Sequence, residues 1–66
     1  MRLLLQSART HQFLHASPVT GEVCFTPALL TALEFGTVAD WEQAQEMVEE
    51  YFDRGQAIVI DLDADR

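Results

Sequence analysis

Residues 40 to 55 read DWEQAQEMVEEYFDRG, and no other stretch restricts the fold as firmly. Asp40 is placed to cap a helix by accepting backbone N–H bonds, Gln43 stands at the third helical position as in a capping box, and Gly55 offers a left-handed stop. Trp41, Ala44, Met47, Val48, Tyr51 and Phe52 recur at helical spacing, which leaves Glu42, Gln45, Glu46, Glu49 and Asp53 largely on the opposite side. Burying one large apolar side chain stabilises by roughly 1.5–3 kcal/mol, whereas acids near the negative end of a helix cost about a few tenths. Packing wins, so this helix must lie apolar face down on another element.

A sheet is the natural support. In QAIVIDL, residues 56 to 62, Ile58, Ile60 and Leu62 point one way and Ala57, Val59 and Asp61 the other. The pattern predicts an inner strand with Ile58, Ile60 and Leu62 under the helix and the second face partly covered. RLLLQ (2–6) and QFLH (12–15) predict a hairpin across SARTH. The rival is one helix through residues 2–16, because Leu3, Leu4, Ser7, Ala8, His11 and Leu14 also fit a helical stripe. SPVTGE (17–22) is a strong turn, with Pro18 fixing one backbone angle and Gly21 free to take positive φ, and EVCF after it reads as a short strand. Thr26 and Pro27 resemble an N-cap and first helical residue, ALLTAL continues at helical spacing, and Gly36 suits a C-terminal stop, so a short helix is expected near 27–34. Thr37 and Val38 add an extended segment, and no internal repeat is evident.

Sixty-six residues suit a single domain, residues 1–66, and a chain of this length buries only about 60% of its unfolded surface. Hydrophobic residues make up 48%, enough for a globular chain with a thin core. Leu4, Ala57 and Val59 are expected on the uncovered sheet face, where a second copy or another protein would bury them. A lone cysteine, Cys24, cannot form an internal disulfide, which suits a reducing cytoplasm. MRLLLQS is too short in its apolar part for a signal peptide, which needs roughly 7–15 such residues, and no run reaches the ~20 that cross a bilayer.

Charge is divided unevenly. Residues 1–33 carry Arg2 and Arg9 against Glu22, or +1, while residues 34–66 carry Arg54 and Arg66 against ten acids, or −8, for a total of −7. Phosphate backbones are bound by lysine and arginine that displace counterions, and this chain has no lysine. Neither direct nucleic-acid binding nor docking on an anionic membrane is expected. Glu42, Glu46, Glu49 and Glu50 form a candidate interaction surface, which on a polar helix face competes with the simpler reading of solvated charge.

Three other groups invite a chemical reading. Asp61, Asp63 and Asp65 follow an apolar strand, as the Asp-x-Asp of haloacid-dehalogenase-type phosphatases does beside magnesium, but those enzymes need a long α/β domain after the motif and only Arg66 follows here. A calcium loop fails because Arg66 stands where glycine is required. The plain role for Asp63 and Asp65 is to solubilise an end and discourage edge pairing. His11 and His15 would share a zinc ion on a helix, yet on a strand they stand roughly 13 Å apart at about 3.3 Å per residue. Two partly exposed surface histidines are expected, with Cys24 as a small buried apolar residue rather than a nucleophile or a third ligand. Accordingly no catalytic residue, no cofactor and no metal is expected, and so short a chain has little room for a walled pocket.

QSARTHQFLH, a polar turn, ADWEQAQEMVEEYF and IVIDLD together resemble a type of short, uncharacterised bacterial protein. The likeness covers most of the chain and rests on patterning; it implies an α+β fold and a bacterial cytoplasm, and carries no activity. The combined expectation is an α+β domain with a mostly antiparallel sheet of three or four strands, the helix of residues 40–54 on one face and a short second helix. Its expected role is a non-enzymatic protein-interaction module, a homodimer among its forms. The alternative is an acidic regulator of a basic protein surface, with a nucleic-acid mimic among its forms, or a small metal-binding protein using His11, His15 and Cys24 or the terminal aspartates.

Overall fold

Four strands and two helices follow one another as β1 (Leu3–Ser7), β2 (Phe13–Ala16), β3 (Val23–Thr26), α1 (Leu29–Phe35), α2 (Trp41–Tyr51) and β4 (Ala57–Asp61). The structure, a computed structural model, describes residues 1–63. The strands make one open antiparallel sheet in the order β3-β2-β1-β4. The α+β architecture is therefore the expected one, and the hairpin, not a continuous helix, occupies residues 2–16.

β4 lies at an edge, contrary to the inner position its apolar run suggested. The inner, doubly covered strand is β1, whose Leu3, Leu4 and Leu5 are all 1% exposed or less. An uninterrupted apolar run is the mark of a strand buried on both faces, and LLL is the purer example. The β1–β4 register pairs Leu5 with Val59 and Leu4 with Ile60. Leu3 and Leu5 join Leu14, Val38 and Ala44 of α2 in the main core, with Met47, Val48, Phe52 and Val59 packed against it. Because directly paired residues share a face, Val59 and not Ile58 or Ile60 turns toward α2, which reverses the predicted orientation of this strand. Leu4 is likewise buried and not open to solvent, while Ala57 and Val59 are half-buried. Leu4 and Ala32 of α1 are also buried but lie outside the α2-side cluster.

Both hairpin loops are built alike. In SARTHQ, Ser7 Oγ accepts from the N–H groups of Arg9 and Thr10, Thr10 Oγ1 accepts from Gln12 N–H, and His11 N–H donates to Ser7 O. In SPVTGE, Ser17 Oγ accepts from Val19 and Thr20, Thr20 Oγ1 from Glu22, and Gly21 N–H donates to Ser17 O. The shared Ser-x-x-Thr frame is a local repeat, where no internal repeat was expected.

α2 begins as predicted, with Asp40 accepting from Gln43 N–H at 2.7 Å. It ends earlier than Gly55 implied, at an extended Phe52; Gly55 instead takes positive φ in a separate turn closed by Gln56 N–H on Asp53 O at 2.9 Å. α1 starts at Leu29, after an Ala28 N-cap with no side-chain bond, because Thr26 Oγ1 accepts from Ala28 N–H and holds that residue outside the helix. Gly36 is the C-cap of α1, as expected, but at an ordinary φ of −123°, so its smallness serves packing: a Cβ there would collide with Leu14 O and lie 2.9 Å from Ala32 O. That close approach lets Val38 reach β1, where Leu3 and Val38 exchange backbone bonds at 2.9 and 2.8 Å.

Candidate interaction surface

α1 reads LLTALEF, with Glu34 its only charge. Ala32 is its sole fully buried residue; Leu33 is half-buried, and Leu29, Leu30 (81% exposed) and Phe35 stand out to solvent. Five of its seven residues are apolar, more than one buried face accommodates. The first residue of α2, Trp41, is also half exposed at 51%, and Tyr51 at its end is open, so neither serves the core face to which helical spacing assigned them. Among the elements of the fold, α2 packs chiefly on β1. Only Ala44, Met47, Val48 and Phe52 meet the core, with Phe52 edge-on to Phe25 at 5.3 Å between ring centres.

On the outer side of α2, Glu42, Glu46, Glu49 and Glu50 are all exposed. Among the described residues the ion pairs are Met1 N-terminus with Asp63 and Arg9 with Asp53, so the four glutamates form an unneutralised ridge. Glu50 acts on Tyr51: partial desolvation first, and then this carboxylate, raises the phenol above its ordinary value.

The histidines part company. His11 is exposed in the first loop at φ 64°, whereas His15 is buried, not surface-exposed, and faces Cys24 across the β2–β3 ladder. His15 Nδ1–H donates to Cys24 O at 2.9 Å, an interaction that explains how β2 tolerates a buried imidazole. Cys24 is exposed instead of buried, because β3 is an edge strand. Its Sγ lies 3.9 Å from the same Nδ1. An Nδ1 that donates to a carbonyl has no lone pair to receive the thiol proton, so the pair lacks the base that nucleophilic cysteine chemistry requires.

Asp61 Oδ1 accepts from Asp63 N–H at 3.0 Å, a local turn that uses its carboxylate; Asp65 lies outside the described residues. Among the described residues no three His, Cys, Asp or Glu side chains gather as a metal site. Hollows of about 170 and 190 Å³ fall below the roughly 300–1,000 Å³ of ligand sites. A third, of about 470 Å³, is walled by Gln45, Val48, Glu49, Phe52, Arg54 and Gly55, which supply one carboxylate and one guanidinium but no nucleophile. No described helix is long and apolar enough to cross a membrane.

The α1 surface was missed in the sequence, although consecutive apolar residues on a helix with one charge were a readable signal. No family model, no characterised protein and no solved structure matches this chain.

Proposed function

We propose that the chain is a non-enzymatic protein-interaction module of the cytoplasm, binding a protein partner through the outer side of α1. The observation that carries this reading is the solvent exposure of Leu29, Leu30 and Phe35 on a helix with a single charge. Each large side chain left in water forgoes roughly 1.5–3 kcal/mol of burial, which a partner's surface would recover. The free thiol of Cys24 suits a reducing compartment.

A second reading is favoured by the unpaired ridge of Glu42, Glu46, Glu49 and Glu50: an acidic regulator that meets a basic protein surface, as a nucleic-acid mimic would. The two differ in salt dependence. Capture of partners on the immobilised chain, compared with Leu29→Ser/Leu30→Ser and with the four glutamates changed to glutamine, separates them. Apolar recognition predicts loss with the serine pair and little effect of salt. Loss with the glutamine set, and release by salt, would replace it with the acidic reading.

A further inference from the structure

β4 is an edge strand of the sheet. Leu62 N–H donates to Arg2 O at 2.9 Å and Ala8 N–H to Gln56 O at 2.7 Å, which fixes the alternation along the ladder. Even-numbered residues of this segment turn their backbone groups toward β1, so Ala57, Val59 and Asp61 turn theirs outward. No described residue pairs with that side. Natural edges are usually blunted by lysine, proline or a bulge. β4 reads AIVID, its register with β1 is continuous, and its one charge sits at the end.

From this we infer that a second copy of the chain pairs with β4, antiparallel and two-fold symmetric about Val59, joining two sheets into one. The inference deepens the interaction-module reading, on which it rests, by naming one partner. In this register all five residues of β4 are paired: Val59 faces Val59 of the other copy, and Ala57 faces Asp61 twice over. These are the outward-turned residues, so each facing pair exchanges two N–H···O bonds without any change in the monomer. Ile58 then stands opposite Ile60 on both sides of the axis, gathering four isoleucines on one face where Ile58 is now 39% exposed. Moving the axis to Ile60 leaves Ala57 and Ile58 without a partner inside the strand, and moving it to Asp61 sets two carboxylates against each other. The central register is the one that satisfies both the ladder and the charges.

A symmetric pairing of this kind closes, since the same edge is used by both copies. The opposite edge, β3, offers only Val23 and Phe25 outward before Pro27, and is a poorer template. α1 packs toward that far edge, on β2 and β3, so pairing through β4 leaves Leu29 and Leu30 free for a different protein.

Sedimentation of the full chain, followed from low to high micromolar concentration and at two salt concentrations, tests the pairing. The wild type is expected to pass from monomer to dimer, more readily in high salt because each copy carries −7. Ala57→Pro removes an outward N–H that the monomer does not use, and Ile58→Lys sets a charge opposite Ile60 of the other copy; each should weaken the dimer roughly 10-fold or more. Leu30→Ser should leave it unchanged. Should Ala57→Pro fail to fold, Ile58→Lys decides alone, because residue 58 keeps its bonds to β1 and its side chain is already partly exposed. A strict monomer at every concentration, or a dimer that survives both substitutions with the sheet intact by circular dichroism, overturns the pairing. A strict monomer that still captures protein through Leu29 and Leu30 overturns the pairing and leaves the module standing; a dimer whose capture ignores those leucines does the reverse.

Discussion

His11 and Gly21 occupy the same position in two matching hairpin loops, one at φ 64° and the other at φ 78°. Only the glycine is free of steric cost there, since a side chain in this region costs roughly 1–2 kcal/mol, partly offset by about 0.4–1 kcal/mol for the larger unfolded freedom of glycine. His11→Gly is therefore expected to stabilise the fold by up to about 1 kcal/mol, and Gly21→Val to destabilise it by at least about that amount. Urea unfolding midpoints check both; a destabilised His11→Gly would show that the imidazole contributes more than its backbone costs.

Of the three glycines, Gly36 is the one where an added methyl group meets backbone; Gly36→Ala should therefore be damaging. Its methyl group would meet two backbone carbonyls, on Leu14 and Ala32, which cannot swing aside as a side chain could. A loss of at least about 2 kcal/mol is expected, out of a total on the order of 5 kcal/mol for a domain of this size. Thermal unfolding by circular dichroism measures it, and an unchanged midpoint would mean that the Gly36–Val38 segment does not press against β2 as described.

Tyr51 is the single tyrosine, so its absorbance titration is unambiguous. Its phenol is raised above 10.0 by desolvation and then by Glu50. The folded state thus favours the neutral phenol: the contribution to stability is complete below the unfolded value and is lost as pH climbs through the folded one. Glu50→Gln should move the titration back toward 10.0 without abolishing the shift. A wild-type tyrosine that titrates at its ordinary value would remove the proposed contact with Glu50.

Leu30→Ser should alter stability by no more than about 0.5 kcal/mol, because the side chain already stands in water. Ala44→Ser, one turn into α2 and fully buried, should cost well over that. Equal effects of the two in chemical unfolding would contradict the assignment of inside and outside on these helices.

Much of the architecture is legible in local chemistry. Asp40 and Gln43 mark the start of α2, Pro18 and Gly21 the second hairpin, and the apolar run at 57–61 a strand, because each depends on neighbours in the chain. What depends on distant partners is not legible. Helical spacing places Trp41 and Tyr51 on the apolar stripe, but whether anything lies beneath them is set by the element α2 packs on, chiefly β1. Alternation divides Val59 from Ile58 and Ile60, yet which set faces α2 is decided by Leu5 across the ladder. His15 looks like a surface residue until Cys24 O arrives from the neighbouring strand. Gly36 is legible as the stop of α1, but its second constraint, Leu14 O, comes from another element.

Amide hydrogen exchange along β4, followed residue by residue as the chain is concentrated, tests self-recognition at this edge most directly. Ile58 and Ile60, bonded to β1, should exchange slowly throughout. Ala57, Val59 and Asp61 should exchange fast when dilute and become protected together as concentration rises. If those three stay fast at every concentration while their neighbours stay slow, the edge remains open and no second copy pairs with it.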